Sequence, residues 1–252
     1  MLSIKNLCYS VSGKQLLDIH SLDCAEGEFV SLLGANGAGK STMFKAIGGE
    51  VLFKGEISLH RKPMKQWKNL SLAKHLGVLP QVSQLEFPFS VEEVVSLGLI
   101  PLKASKAEGR QLVLEAMKAT DTVHFQKRPY SGLSGGERQR VHLARVLVQL
   151  SQAELSPLLL LDEPTSAQDL GQQHQMLSLA QSLSHDRNWG VIAILHDLNH
   201  ALRYSDTCWL LDEGQVIDSG PPDMVLNAPQ VNRVWGYVPQ VVVSDDGKRM
   251  LL

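Results

Sequence analysis

Two short stretches of this chain carry residue types and spacings suited to phosphate chemistry. Residues 34–41 read GANGAGKS and fit the pattern G-x-x-x-x-G-K-[ST], between an apolar run and a helical one. Gly34, Gly37 and Gly39 let backbone N–H groups curl around phosphate oxygens, and a following helix adds the positive end of its dipole. Lys40 would reach the β- and γ-phosphates of a nucleotide, and Ser41 would ligate Mg²⁺. With glycine at about 7% of residues, the four fixed positions match by chance in roughly one chain in a hundred of this length. An accidental tight turn is therefore the weaker reading. The second stretch is Asp162-Glu163, directly after four leucines. Carboxylates at the carboxyl end of a buried strand face the crevice where ligands bind in open α/β sheets. Asp162 suits a metal shell, and Glu163 suits a general base that polarises an attacking water.

Three further features leave alternatives open. Gln81 and His196 also end apolar strands, and either side chain has the chemistry to hold a γ-phosphate or its water. A lone Gln or His at a strand end is equally a surface or capping residue. Residues 132–142, GLSGGERQRVH, open a helical stretch with a serine, two glycines and a glutamate. Ser134 and Glu137 have the spacing of a capping box, with the glycines permitting a sharp turn. The same N-terminus is a seat for an anion.

These residues need elements to hold them. LSIKNLCYSV and KQLLDIHSLDC read as two strands joined at Ser12-Gly13, GEFVSLLG as a third, and a helix is expected over about 40–47. GEISLH and HLGVLPQ are further strands, the latter ending at Pro80-Gln81. From Ser90 to Leu150 strand signals are few. SVEEVVSLGL opens with Ser90 and Glu93 at capping-box spacing, KAEGRQLVLEAMKAT has helical periodicity, and ERQRVHLARVLVQL puts Val141, Ala144, Leu147 and Val148 on one face. A mostly helical insert within an α/β domain is the result. PLLLLDEP is a continuously apolar strand of the kind buried on both faces of a parallel sheet. A helix near 172–184, the strand VIAIL, the segment HDLNHALRYSD, a hairpin turning at Glu213-Gly214 and a last hairpin in QVVVSDDGKRMLL complete the chain. Strands alternating with helices imply a parallel core sheet.

Composition sets outer limits. The 252 residues bear a formal net charge of −2, with 44% hydrophobic and 20% charged residues, so no large basic face argues for nucleic acid. Cys8, Cys24 and Cys208 have neither metal nor disulfide spacing, which fits a reducing cytosol. MLSIKNLCYS lacks a secretory signal, and PLLLL and VIAIL are far too short to span a membrane. Work at a membrane would mean docking on another protein.

Taken in order, GANGAGKST, LPQ, LSGGERQRV, LLLLDEPTS, SAQD and LHD resemble the nucleotide-binding subunit of an ABC transporter, over nearly the whole chain. The resemblance implies a P-loop NTPase (RecA-like) fold, α/β, with a mainly parallel sheet, an N-terminal antiparallel β portion and an inserted helical subdomain. It implies a nucleotide-binding core at 1–85 and 153–252 and a helical subdomain at 86–152. Gly34, Ala35, Asn36, Gly37, Ala38, Gly39, Lys40, Ser41 and Thr42 would form the Walker A loop. Gln81 would be the Q-loop glutamine, Asp162 and Glu163 would end Walker B, and His196 would be the switch histidine. ATP and Mg²⁺ are the implied cofactors, the metal held by Ser41, Gln81 and Asp162. Lys40, Gln81, Glu163 and His196 would serve hydrolysis. Tyr9 falls where the family often stacks an aromatic on adenine. The family pairs two subunits head to tail, so Ser134, Gly135 and Gly136 would contact the nucleotide of a second copy. That accounts for two phosphate seats in one chain. Two positions depart from the family pattern: Gln168 stands where Leu is common, and Ala35 where Pro is frequent. Asp169, in the same loop as Gln168, is retained.

A narrower resemblance concerns cargo. LEFPFSVEEVVSLGLIP, VHLARVLVQL and HDLNHALRYSD are similar to importer ATPases for iron chelates, heme and cobalamin, nearest to the heme importers. The implied partners are a second copy, an integral-membrane permease dimer and, indirectly, a periplasmic substrate-binding protein, at the cytoplasmic face of a bacterial inner membrane. Residues near Phe87 to Val91, just after Gln81, are expected to relay the nucleotide state to the permease. Ferric siderophores and cobalamin are the alternative cargoes. A soluble ABC ATPase acting on DNA or ribosomes is disfavoured: the stretch between Gln81 and Ser134 is too short for a long coiled coil, and there is one Walker A. Glu163 and His196 argue against a scaffold without turnover.

Overall fold

The computed structural model describes residues 1–81, 88–166, 168–243 and 249–252. It divides into two compact units, Met1–Gln66 with Ala180–Leu252, and Trp67–Leu179. The first opens with two long strands, β1 (Leu2–Val11) and β2 (Lys14–Cys24). Ser12 and Gly13 between them both have positive φ, 49° and 80°, the backbone of a two-residue hairpin turn whose twist matches the strands. β3 (Phe29–Leu33) is buried at every residue and leads through a loop into α1 (Lys40–Ile47). β4 (Lys54–Leu59) pairs antiparallel with the other side of β1, and the short β5 (Lys62–Pro63) completes the order β2-β1-β4-β5. Leu2 faces Cys24, Ile4 faces Leu22 and Leu7 faces Ile19. All of these side chains are buried, so this sheet turns one apolar face to the core.

The second unit holds α2 (Asn69–His75), β6 (Leu76–Leu79), α3 (Val91–Ser96), α4 (Lys106–Ala119), α5 (Gly135–Leu150) and β7 (Leu158–Asp162). β6 and β7 run parallel. α5 packs against α2, α3, α4 and β6. While Arg138, Arg140 and Arg145 stay half-buried, it buries Leu143, Val146 and Leu150 besides the four apolar residues expected on one face, an apolar stripe wider than that of a surface helix. Each such side chain contributes about 1.5–3 kcal/mol. No strand occurs among the described residues of 90–150, apart from an isolated bridge between Ser90 and Pro129.

α6 (Leu170–Arg187) starts and ends beyond the expected 172–184. Asp169 Oδ1 accepts from the Gln172 N–H at 2.9 Å, and this cap starts the helix early. In the first unit there follow β8 (Gly190–Ile194), α7 (Leu198–Tyr204), β9 (Thr207–Asp212) and β10 (Gln215–Gly220). β3 lies parallel to both β8 and β9, and β10 returns antiparallel to β9 after a turn at Glu213-Gly214. The chain ends with α8 (Pro222–Val225), α9 (Ala228–Trp235) and the hairpin β11 (Val241–Val243) with β12 (Arg249–Leu251). The architecture is α/β with mainly parallel strands and an antiparallel N-terminal sheet, as expected. Among the described residues no helix is long and apolar enough to cross a membrane. Of the expected permease-facing segment near Phe87 to Val91, Phe87 lies outside the described residues, as do residues 82–86, Ala167 and residues 244–248 of the expected last hairpin.

α5 carries a buried titratable group. His142, 4% exposed, has its Nε2 2.7 Å from the Tyr130 hydroxyl, itself 1% exposed. Burial, assisted by the nearby Arg145 guanidinium, pushes the imidazole from 6.5 down to about 4. The folded chain thus stays neutral where the unfolded chain takes up a proton, so stability falls as pH drops from about 6.5 towards about 4. The loss over that window is about 3 kcal/mol. We expect His142→Gln, which retains a hydrogen-bonding partner for Tyr130, to flatten this part of the profile in denaturant unfolding between pH 7.5 and pH 4.5. An unchanged slope in the variant would assign the acid sensitivity elsewhere.

Candidate active site

In the first unit, residues 34–39 form a tight loop between β3 and α1. Gly34 (φ 153°) lies so close to the β9 backbone that a Cβ would sit 2.2 Å from the Leu211 carbonyl oxygen, and at Gly39 (φ 106°) one would sit 2.9 Å from Leu17 Cδ2. Only glycine fits either place. The turn between β9 and β10 stitches the loop down: Gly214 N–H donates to Ala38 O at 2.9 Å, and Asp18 N–H donates to Gly214 O at 2.8 Å. Lys40, 6% exposed, donates from Nζ to Gly34 O at 2.7 Å and to Ala35 O at 2.9 Å. Its cation is held within the curl of the loop. Ala35, Asn36, Gly37 and Ala38 line a cleft of about 550 Å³ with Lys14 and Glu213. A Cβ on Gly37 would meet nothing within 4 Å. A backbone packed tightly on one side and open towards a cleft on the other fits a polyphosphate. Ser41 is exposed and Thr42 half-buried in the first turn of α1. Tyr9 stands half-buried on β1 opposite Leu17 and is not among the residues lining the cleft.

His196 belongs to the same unit and is placed by register. Leu32 of β3 pairs with Ile194 of β8, so Gly34 and His196 each stand two residues past a paired position, at the carboxyl ends of neighbouring parallel strands. His196 is exposed, and Asp197 beside it starts α7 by accepting from Asn199 N–H at 2.7 Å.

The second unit repeats this device. Leu79 of β6 pairs with Leu161 of β7, and two residues on, Gln81 Nε2 donates to Glu163 Oε2 at 2.5 Å. Two residues that the sequence marks only as strand ends are thus hydrogen-bonded to each other. Asp162 is half-buried at the last position of β7. Glu163 adopts φ 49°, a left-handed conformation that costs a β-substituted residue about 1–3 kcal/mol and is a mark of functional sites. Its carbonyl oxygen accepts from Ser166 N–H at 3.2 Å, Ser166 Oγ at 3.1 Å and Gln139 Nε2 at 3.0 Å. Gln139 is a site neighbour that the sequence reading does not include.

At the start of α5 the capping box is present: Ser134 Oγ accepts from Glu137 N–H at 3.3 Å, and Glu137 Oε2 accepts from Ser134 N–H at 2.7 Å. The backbone bond from Ser134 holds the Glu137 carboxyl below its ordinary range. Ser134 and Gly135 are exposed while Gly136 is buried, so a capped helix start faces outward. Boxes at Ser90–Glu93 and Ser105–Glu108 start α3 and α4 in the same way. The S-x-x-E signal for the last of these was present in SKAE.

Comparison with known proteins gives a consistent picture. The family model described as ABC transporter matches residues 17–166. The hemin import ATP-binding protein HmuV of Shewanella denitrificans is 47% identical over 253 aligned residues, covering 100% of both chains. Its counterpart in Vibrio cholerae is 44% identical over 92% of this chain and 90% of that one. Among solved structures, cbiO1 of Clostridium perfringens, part of the ABC transporter complex cbiONQ, superposes with a TM-score of 0.79 at 31% identity, covering 92% of each chain. The ATP-binding cassette MJ0796, a dimer bound to ADP and Pi, gives 0.74 at 28% identity, covering 88% of this chain and 99% of that one.

Proposed function

The chain belongs to the ABC transporter family, and from that premise we propose that it is the ATP-hydrolysing subunit that energises import of hemin across a bacterial inner membrane. The observation that carries hydrolysis is the Gln81–Glu163 hydrogen bond, which sets a carboxylate at the end of β7 in a defined orientation. The cargo rests on full-length likeness to hemin import ATP-binding proteins. Lys40 and the N–H groups of residues 34–39 hold the triphosphate. Glu163 takes the proton of the attacking water, with Gln81 holding the carboxylate. His196 binds the γ-phosphate or its water, and Tyr9 stacks on adenine. The donor set of Ser41, Gln81 and Asp162 is all oxygen, the hard-ligand chemistry that suits Mg²⁺; when bound, the ion neutralises phosphate charge. We assign nucleotide binding to 1–85 and 153–252 and the helical subdomain to 86–152.

Ser134, Gly135 and Gly136 serve the nucleotide of a second copy. The capped, outward-facing start of α5 supports this role, because capping points N–H groups at an anion. The assembly sits at the cytoplasmic face of the membrane on a permease dimer, which a periplasmic binding protein feeds. The test is reconstitution with its permease and binding protein in liposomes loaded with ATP. Hemin uptake is expected, with no uptake of cobalamin or a ferric siderophore. Uptake of either of those without hemin would overturn the cargo and leave the ATPase intact.

A further inference from the structure

We propose that the side-chain amides of Gln139 and Gln168 form a positioning pair for hydrolysis, tying the loop that ends at Asp169 to the backbone of Glu163. The inference rests on Glu163 being the general base. The left-handed backbone of Glu163 persists only where its surroundings over-determine it. Of the donors on its carbonyl oxygen, both from Ser166 belong to the same turn. Gln139 arrives from another element, α5, the helix that Ser134 caps. Because Gln139 spends its Nε2 on that carbonyl, its Oε1 faces the loop, where Gln168 Nε2 donates to it at 3.4 Å.

Gln168 is itself pinned. Its N–H donates to Thr165 O at 3.4 Å, and its carbonyl accepts from Gln173 Nε2 at 2.9 Å. Gln173 also reaches Thr165 O at 3.3 Å. A chain of amides therefore runs from α6 through the loop to α5 and back to Glu163. The arrangement has a cost. Gln168 Oε1 is buried with no donor among the described residues, and an unmet buried acceptor is destabilising. An apolar residue at 168 would avoid that cost, but it would leave Gln139 Oε1 without its donor and the Glu163 carbonyl with a less fixed one. A displacement of the loop would then no longer be transmitted to the carboxylate. Neither amide needs to touch nucleotide for this, so the pair sets the rate of the chemical step and not the affinity.

The experiment is a double-mutant cycle on steady-state ATP hydrolysis by the full chain, with ATP affinity measured separately. We expect Gln168→Leu and Gln139→Leu each to lower kcat by about threefold to tenfold, the equivalent of one hydrogen bond, with KM for ATP and nucleotide affinity unchanged. The double variant should be no slower than Gln139→Leu alone, because the two act as one unit. Gln139→Glu, which keeps the acceptor for Gln168 but loses the donor to Glu163, should be as slow as Gln139→Leu. Gln168 is half-exposed, so Gln168→Leu tests the idea even if changes at the buried Gln139 unfold the chain. In a Glu163→Gln background, Gln168→Leu should slow the residual hydrolysis no further. Normal kcat in Gln168→Leu beside an inactive Glu163→Gln rejects the pair alone, as do additive losses in the cycle. A normal rate in Glu163→Gln rejects the base itself.

Discussion

Glu163→Gln will bind ATP and hydrolyse it about 10²- to 10⁴-fold more slowly, the usual cost of removing a positioned general base. The substitution preserves volume and the backbone clamp on residue 163, in which Ser166 N–H, Ser166 Oγ and Gln139 Nε2 donate to the carbonyl oxygen. It also preserves the partner of Gln81, since the new amide still offers an oxygen to Gln81 Nε2. What is lost is the proposed proton acceptor. Ser41 and Asp162, the proposed Mg²⁺ ligands, remain, so ATP should still bind. A head-to-tail dimer that closes on ATP and reopens on hydrolysis should then accumulate. Size-exclusion chromatography with and without ATP would register a shift from monomer to dimer. Adding Ser134→Arg places bulk and charge at the outward-facing start of α5 and should abolish the shift. A dimer indifferent to Ser134→Arg would remove that serine from the neighbour's phosphate seat.

Lys40→Ala will weaken ATP binding by about 10- to 100-fold and abolish transport, because charge-assisted hydrogen bonds are worth about 1.5–3 kcal/mol each. The structure adds a second reason. Lys40 Nζ holds the Gly34 and Ala35 carbonyls, so its removal loosens the curl as well as the charge. Isothermal titration with ATP measures the loss directly, and undiminished affinity would displace the phosphate loop from its assigned role.

The motif-bearing strands and the helix after residue 39 were legible because each signal is local: an apolar run ended by glycine or a carboxylate. β1, β2 and α1 have the spans that alternation and the glycine loop imply. α2 escaped because NLSLAKH gives less than two turns of pattern. α9 escaped although its signals were present, Asn227 as cap, a proline in the first turn and Gly236 at φ 68° after the last turn. The site was legible residue by residue but not as pairings. Nothing in the sequence states that β6 neighbours β7, and without that neighbourhood Gln81 and Glu163 are two unrelated strand ends. Gln139 was invisible for a different reason. It lies between two arginines on the side of α5 that reads as solvent, yet it is 6% exposed. Gln168 stands out in the sequence as a departure from the family pattern, but its partner Gln139 is visible only in three dimensions.

The matched registers of Leu32 with Ile194 and of Leu79 with Leu161 make distance along the chain a coordinate system for reactivity. A functional group is addressed by counting two residues past a hydrogen-bonded rung. A substitution inside these strands leaves the register in place, whereas adding or deleting one residue before the address turns the following side chain to the opposite face. Length here is therefore under tighter constraint than identity. Variants of this scaffold that keep the count free to drift only beyond Gln81, Glu163 and His196 can change what surrounds the chemistry without moving it.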